Sequence, residues 1–425
     1  MTEPVSGVAA RAAALDLLTA ALERRAGLDE ALASPALRAL EPRDRAFARA
    51  LVMATLRRLG PIDQALQARL NRAPPDAVVH ILRLGVAQAF VLQVPIHAAV
   101  GATVELAASR KTTANFKGLV NAVLRALTRE PPELSDPDAL APPWLYARWS
   151  AAYGPEAARA IAALIAEEPA TDLSLRDGAD AQALAADLEA EILPGGSLRT
   201  ERRGDLASWP GFAEGKWWVQ DASAAVAARL LDVQPGQTVL DLCAAPGGKT
   251  LQLAAAGGEV TALDRSAPRL KRVSENLARM ALSAQVVTAD AIDWRDGRMF
   301  DAVLLDAPCS ATGTFRRNPD VLWAASPADV ASLSAVQSRL LDSAARRVKP
   351  GGRLVYCVCS LEPEEGEGQV AAFLARTPGF AVEPAAPGEG GAPEASLLAD
   401  GTLRILPQHR PGGTDGFFVA RFRKA

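Results

Sequence analysis

Two cysteine-containing segments carry the most distinctive chemistry in this chain of 425 residues. Residues 306–313 read DAPCSATG, and residues 356–360 read YCVCS. A thiolate is a strong nucleophile, and Asp306 could exchange a proton with a reacting group nearby. Cys309 and Cys359 each follow a run of apolar residues typical of a buried strand. We therefore expect both thiols at one edge of a sheet, where they could take part in covalent catalysis.

Other uses of the cysteines fit the sequence less well. Cys357 and Cys359 have Cys-x-Cys spacing, the other two cysteines are distant, and the chain has three histidines. This is not the spacing of a zinc site, so no metal is expected. Four cysteines in a chain of this length do not make a disulfide framework. We interpret Cys243 and Cys357 as buried structural residues, and Cys309 and Cys359 as functional ones.

A glycine turn precedes the cysteine segments. Residues 241–250 read DLCAAPGGKT and join a predicted strand to a predicted helix. Small residues let a ligand approach the backbone, and a helix N-terminus offers free N–H donors. The turn lacks the GxGxxG dinucleotide pattern. It is not a P-loop, because Cys243 stands where that motif has its first glycine. Taken alone, the glycines fit an ordinary tight turn better than a turn that binds a ligand.

An aspartate ends each of four predicted strands: Asp241, Asp264, Asp290 and Asp306. A carboxylate about 20 residues after a glycine turn is placed to accept hydrogen bonds from both ribose hydroxyls, which fits Asp264. Asp290 is placed to meet an adenine amino group. One such aspartate is easily a helix cap, but four in one sheet favour an adenosine-containing cofactor.

The elements that must position these residues follow from the apolar spacing and from proline and glycine. Residues 1–130 are predicted to form an all-helical domain, 131–143 a proline-rich linker, 144–219 a small α+β subdomain, and 220–425 a catalytic domain. In the last part strands alternate with helices, which predicts a doubly wound, mostly parallel sheet. Its strands are expected at 238–243, 259–264, 285–290, 300–306 and 353–359, with 417–423 as an edge or antiparallel addition.

The motifs together resemble a known family. DLCAAPGGKT, DAPCSATG and YCVCS-x-x-PEE are similar to the three signatures of the RNA 5-methylcytosine methyltransferases, the Nol1/Nop2/Sun family. NFKGLVNAVLRAL, WWVQDASA and DGFFVARF also resemble it. The helical N-terminal part is similar to NusB, which points to the bacterial RsmB (Sun/Fmu) type. In one departure, Val358 stands where the family commonly has threonine, and Cys357 where it usually has a small residue.

The resemblance implies a fold, a cofactor and a reaction. The fold would be an α/β, class I (Rossmann-like) methyltransferase domain preceded by an all-helical NusB-like domain and a small α+β subdomain. The cofactor would be S-adenosyl-L-methionine and the substrate 16S rRNA, methylated on carbon 5 of a cytosine (cytosine 967 in the customary numbering). The cofactor-binding residues would be Cys243, Ala244, Ala245, Pro246, Gly247, Gly248, Lys249, Asp264, Arg269, Asp290 and Asp306.

The resemblance also assigns roles to the catalytic residues. Cys359 would attack carbon 6 of the base, Cys309 would help product release, and Asp306 would stabilise charge on the ring. The residues themselves leave open which cysteine attacks, because DNA cytosine-5 methyltransferases use the cysteine of a Pro-Cys motif, here Cys309.

Three other functions are alternatives. The same chemistry could act on another rRNA site or on tRNA. A non-catalytic RNA-binding assembly factor could retain the fold, but it would have no need of both thiols. A nicotinamide-dependent dehydrogenase would require a different glycine spacing.

Charge supports an anionic partner. Residues 1–130 hold 17 Lys and Arg against 11 Asp and Glu, whereas the remainder holds 29 against 38. A basic module suggests nucleic acid, and the candidate RNA-backbone contacts are Arg110, Lys111, Lys117, Arg125 and Arg129. An ordinary solvated helix face fits them equally well. No apolar run spans a bilayer and the N-terminus lacks a secretory pattern, so we expect a cytoplasmic monomer without a membrane partner.

Overall fold

The computed structural model describes residues 7–23 and 27–425, which fall into two units. The first contains the described residues up to Glu168 together with Arg317–Ala325. The second contains Pro169–Arg316 and Ser326–Ala425. The start of the predicted helical domain, residues 1–6, lies outside the described residues.

The first unit is helical, as predicted. Its core is made of apolar residues that recur every three or four positions, for example Val120, Val123, Leu124 and Leu127, all buried on one face of a single helix. The helices are α1 (Val8–Glu23), α2 (Gly27–Leu32), α3 (Pro35–Arg38), α4 (Pro42–Arg57), α5 (Leu59–Gln67), α6 (Asp76–Val86), α7 (Ile96–Ser109), α8 (Lys117–Arg129), α9 (Pro137–Leu140), α10 (Pro143–Tyr153) and α11 (Pro155–Ala163).

The proline-rich segment is less irregular than predicted. It contains the single turn α9, whose N-cap residue Asp136 accepts a hydrogen bond from the backbone N–H of Asp138, and α10 begins at Pro143. Proline is tolerated in a first helical turn because its missing N–H would have no partner there. Helices α10 and α11 belong to the first unit, so the predicted divisions after residues 130 and 143 do not coincide with the observed division after Glu168.

A segment from much later in the sequence completes the helical unit. Arg317–Ala325 includes a short helix, Asp320–Ala324. The indole of Trp323 packs against the core of the unit, and its Nε1 donates to the carbonyl oxygen of Leu56 at 3.1 Å.

The second unit begins with the small α+β part. Its strands are β1 (Thr171–Leu175), β2 (Ala190–Ile192), β3 (Leu198–Thr200) and β4 (Trp217–Val219), paired antiparallel in the order β2-β3-β1-β4, with helix α12 (Ala181–Leu188) against them. A buried ion pair crosses from β3 to β1, where Arg199 binds both carboxylate oxygens of Asp172 at 2.7 and 2.9 Å. Asp172 also accepts from the backbone N–H of Ala222. The small sheet is thereby linked to the larger α/β part that follows.

The rest of the second unit is the predicted doubly wound α/β fold. Strands β5 (Thr238–Leu242), β6 (Glu259–Asp264), β7 (Gln285–Thr288), β8 (Phe300–Asp306) and β9 (Val348–Val358) pair in parallel in the order β9-β8-β5-β6-β7. The helices of this part are α13 (Ala222–Leu231), α14 (Gly248–Ala255), α15 (Ala267–Arg279), α17 (Pro327–Arg347) and α18 (Glu367–Arg376). Helix α16 (Asp320–Ala324) lies between α15 and α17 in the sequence but is the short helix of the first unit described above. Alternate residues of the strands pack into separate apolar cores on the two faces.

The chain order of the strands reverses at β5, which lies between β6 and β8. In open α/β sheets, ligands bind beyond the carboxyl ends of the strands at such a point. The motif residues lie there.

The last strand, β12 (Phe417–Lys424), is antiparallel, which confirms one of the two predicted alternatives; it lies between β9 and β10 (Phe380–Val382) and also pairs with β11 (Leu403–Ile405). The prediction for β7 was wrong in part, because this strand ends at Thr288 and Asp290 lies two residues beyond it. Among the residues that the structure describes, no helix is both long and apolar enough to cross a membrane.

Candidate active site

The glycine turn between β5 and α14 makes a tight cradle. Cys243 (φ 60°) and Gly247 (φ 107°) both adopt left-handed backbone angles, and α14 begins at Gly248. A Cβ on Gly247 would lie 3.2 Å from the side chain of Val273, so the turn also requires a small residue for space. The chain therefore reverses directly from the end of β5 into the N-terminus of a helix.

Asp241, the aspartate near the end of β5, is fully buried beneath this turn. Its Oδ2 accepts a hydrogen bond from Thr250 Oγ1 at 2.5 Å, whereas its Oδ1 is buried without a partner among the described residues. Burial raises the pKa of Asp241 to about 7. Below about pH 7 the neutral acid of Asp241 is therefore favoured over its carboxylate.

This pKa predicts a pH-dependent stability. The raised pKa means that the folded protein favours the neutral acid, so stability present near pH 4 is lost as the pH rises through about 7. Asp241→Asn removes the titrating group, so its free energy of unfolding should rise relative to that of the unmodified protein by up to about 2.5 kcal/mol between pH 5 and pH 8. Urea unfolding at both pH values measures this, with exposed Asp293→Asn as the control. An equal difference at both pH values would contradict the raised pKa.

Asp264, at the end of β6, binds the same turn. Its Oδ1 accepts from the backbone N–H of Ser266 at 2.8 Å and its Oδ2 from that of Ala245 at 3.2 Å. Arg269 donates from Nη2 to the carbonyl oxygen of Ala245 at 2.6 Å, and its Nη1 lies 3.9 Å from Asp264 Oδ2. The structure thus brings the turn, Asp264 and Arg269 together. Asp290 is exposed, and its Oδ1 accepts from the N–H of Ile292.

Asp306, at the end of β8, forms an ion pair with Lys249 of the turn, with 2.8 Å between Oδ2 and Nζ. Burial disfavours the charged form of Lys249, but Asp306 and the nearby thiols outweigh it, so the pKa of Lys249 lies above its usual value. The Lys249 ammonium also lies 4.9 Å from the centre of the Phe417 ring. A fixed positive charge therefore lies beside Asp306.

The two structural cysteines differ from each other. Cys357 is buried, as predicted, and its Sγ donates to Asp306 Oδ1 at 3.5 Å. Burial raises the pKa of Cys357 well above its usual value. Cys243 is partly exposed, so its interpretation as buried was wrong. The reason is the position of Cys243 in the turn, beyond the last residue of β5.

Cys309 and Cys359 come together as predicted, with 3.5 Å between their sulfur atoms. They follow β8 and β9, which are neighbouring parallel strands with Asp306 opposite Cys357. Cys309 is buried, and the hydrogen bond with Cys359, together with burial, raises its pKa well above the usual value. Cys359 is partly exposed. The pair therefore consists of a sheltered thiol that favours its neutral form and a more accessible partner.

Residues after each cysteine form a polar network that sequence reasoning missed. Ser310 Oγ and Ser360 Oγ each donate to the carboxylate of Glu365 at 2.5 Å. Glu365 belongs to the PEE of the third signature, which received no role from the sequence. The sequence feature that could have indicated this network was an acidic residue, Glu365, a few positions after the Cys359-Ser360 segment.

The candidate RNA contacts lie in the first unit. Lys111, Lys117, Arg125 and Arg129 are exposed, and the last three lie on α8 away from its buried face. Arg110 is partly buried and pairs with Asp16 at 2.7 Å, which offsets its charge. Part of the predicted basic stripe is thus available to an anionic partner.

Comparison with known proteins finds a family match in each of the two units. Residues 228–423 match the family model "16S rRNA methyltransferase RsmB/F", and residues 8–129 match the NusB family. The chain is 40% identical to ribosomal RNA small subunit methyltransferase B of Pseudomonas syringae pv. tomato, over 97% of this chain and 96% of the other. It is 39% identical to the protein of that name from Xanthomonas campestris pv. campestris, over 99% and 98%.

A solved structure is similar as well. The crystal structure of PH0851 shares 26% identity with this chain and superimposes with a TM-score of 0.80, covering both chains completely. The matches to sequence, to family models and to fold agree. This chain belongs to the RsmB/F family of rRNA methyltransferases and carries the helical NusB-type domain at its N-terminal end.

Proposed function

We propose that this protein transfers a methyl group from S-adenosyl-L-methionine to carbon 5 of a cytosine in 16S rRNA, at cytosine 967, through a covalent adduct with Cys359. The observation that carries the proposal is the pair of thiols, Cys309 and Cys359, in contact at 3.5 Å beyond two adjacent parallel strands. The Lys249–Asp306 ion pair belongs to the same strand ends. The relatives named above are rRNA small subunit methyltransferases, which supports the choice of substrate.

The cradle fits the proposed cofactor. Residues 243–249 would wrap its methionine and ribose end, Asp264 would accept from the ribose hydroxyls, Arg269 would assist, and Asp290 would lie on the adenine side. Each oxygen of Asp264 already accepts one N–H and has capacity for a second donor. The buried Oδ1 of Asp241 lacks a partner in the described part of the chain, as expected beneath a polar ligand. When bound, the cofactor supplies an electrophilic methyl group on a sulfonium.

Covalent catalysis explains the need for a thiolate. Carbon 5 of cytosine is too weak a nucleophile to take a methyl group directly, but addition of the Cys359 thiolate to carbon 6 makes the ring enamine-like. Asp306, with Lys249 Nζ 2.8 Å from its Oδ2, would lie near ring nitrogen 3, where a proton shared within this pair would offset the charge that develops on the base. The proton on carbon 5 must then leave before Cys359 can be expelled, and Cys309 would assist this release. The base must be single-stranded or flipped to reach the thiols.

Methyl transfer from radiolabelled S-adenosyl-L-methionine to unmodified 16S rRNA tests the proposal. We expect one labelled cytosine, mapped by bisulfite sequencing, and no label when that cytosine is replaced by uracil. Transfer to tRNA or 23S rRNA instead would keep the chemistry and overturn the substrate. Cofactor binding with no transfer to any RNA would favour the non-catalytic assembly factor.

The basic face of α8 should contribute a salt-dependent part of RNA binding. Replacing Lys117, Arg125 and Arg129 together with alanine is expected to weaken binding to all RNA sequences. The slope of log K against log salt should flatten by about 2, since each single-strand phosphate contact contributes about 0.7. Filter binding of an rRNA fragment over a series of KCl concentrations measures the slope. Arg159→Ala, which removes an exposed charge paired with Asp138, is the control; an unaltered slope in the triple variant would exclude this face.

A further inference from the structure

Glu365 is a fully buried carboxylate in the turn after the second cysteine segment. Its Oε1 accepts from the backbone N–H of Ser310 at 2.9 Å and from Gln337 Nε2 at 3.0 Å. Its Oε2 accepts from Ser310 Oγ and from Ser360 Oγ, both at 2.5 Å. One carboxylate therefore binds the residue that follows each of the two cysteines.

This arrangement is costly for a purely structural purpose. A buried carboxylate is tolerated where hydrogen-bond donors replace its hydration, and all the described donors to Glu365 are uncharged. No opposite charge among these donors offsets the desolvation. Well-packed apolar residues would commonly hold two loops together at less cost. The buried carboxylate therefore indicates a role that depends on its hydrogen bonds and its charge, which apolar packing could not supply.

The contacts of Glu365 span segments that are far apart in the sequence. Ser310 and Ser360 are separated by 50 residues, and their hydroxyl oxygens lie 3.0 Å apart against the same carboxylate. Gln337 of α17 extends the network, since its Nε2 also donates to the carbonyl oxygen of Pro308. One side chain therefore bonds the residues that follow both cysteines.

The charge of Glu365 also acts on the thiols. The hydrogen bond with Cys359 and burial are the main causes of the raised pKa of Cys309, and the nearby carboxylate of Glu365 raises this pKa further. A negative charge on this side keeps Cys309 as the neutral thiol.

We propose that Glu365 is a positioning residue that holds Cys309 and Cys359 at the spacing the reaction requires, by binding the residue after each cysteine. This inference rests on the proposed function. Glu365 does not touch the reacting atoms, and its effect is transmitted through Ser310 and Ser360.

Glu365→Gln tests the proposal with little change in shape. The amide nitrogen cannot accept a hydrogen bond, so donors that now meet Oε1 or Oε2 lose their acceptor. We expect kcat to fall by about 10- to 100-fold, as for small misplacements of reacting groups, with KM for RNA and Kd for S-adenosyl-L-methionine within about twofold. Glu364→Gln is the matched control, because this neighbour in the same turn is exposed. Equal unfolding temperatures of the variants would exclude a folding defect.

A second readout needs neither RNA nor methyl transfer. Alkylation of each thiol by iodoacetamide, followed by mass spectrometry over a pH series, reports the two cysteines separately. In Glu365→Gln we expect Cys309 to react faster and from a lower pH, because the negative charge is lost and the segment is freed. Glu364→Gln should match the unmodified protein.

The outcomes separate this proposal from the proposed function. Unchanged kcat and alkylation in Glu365→Gln, with normal methyl transfer, would overturn the positioning role alone. No methyl transfer by the unmodified protein would overturn the proposed function, and alkylation would still decide whether Glu365 controls the thiols. If Glu365→Gln does not fold, Ser360→Ala removes one donor and is expected to lower kcat several-fold. Normal kcat and alkylation in folded Ser360→Ala would then overturn the proposal.

Discussion

Replacing Cys359 with alanine is expected to abolish methyl transfer to RNA, lowering kcat by about 10⁴-fold or more, as removal of the nucleophile does in other covalent enzymes. Without addition to carbon 6, carbon 5 of the base remains too weak a nucleophile. Methyl transfer from radiolabelled cofactor measures the loss. Cofactor binding and the unfolding temperature should remain close to those of the unmodified protein, because Cys359 lies after β9 rather than in the glycine turn. An unaltered rate in this variant would refute the assignment.

Cys309→Ala is expected to have a different and equally large effect. The nucleophile is retained, so the adduct forms and the methyl group is transferred. Without Cys309, the release of the proton from carbon 5 is expected to be slow. The protein should therefore remain attached to the RNA. A slowly migrating protein–RNA band that survives denaturing gel electrophoresis measures this, and the band should disappear in the variant that lacks both cysteines.

The two variants together also decide which cysteine attacks. If Cys359→Ala accumulates the adduct and Cys309→Ala is inactive, the roles are reversed, as in the DNA enzymes. The structure favours Cys359 as nucleophile, because it is partly exposed whereas Cys309 is buried with a raised pKa. A buried thiol that favours its neutral form is poorly suited to nucleophilic attack.

Local patterns predicted the strands that carry the site. The runs that end in Asp264 and Asp306 have the predicted bounds, since continuous apolar residues bounded by polar ones define a buried parallel strand. The meeting of Cys309 and Cys359 followed from this, because neighbouring parallel strands end at the same edge. The strand before Asp290 ended early, and its residues are less buried, so its polarity pattern was a weaker guide.

Features that depend on distant partners were not predictable. The position of β12 inside the sheet is set by pairing with β9, β10 and β11, which no local pattern records. The contacts of Glu365 join segments 50 residues apart, so a signature glutamate could be noticed but not given a role. The Lys249–Asp306 ion pair was missed for the same reason, although both residues were expected to lie at the cofactor.

The chain path through the helical unit has a consequence for synthesis. A ribosome delivers the residues up to Glu168 first, but Trp323, which packs into that unit, is made about 150 residues later. Until then the carbonyl oxygen of Leu56 lacks its indole donor, and part of the helical core lacks its cover. The N-terminal part therefore reaches its complete packing only after Trp323 has been synthesised. A protein truncated after Glu168 would lack Arg317–Ala325, so its helical unit would remain without the packing of Trp323.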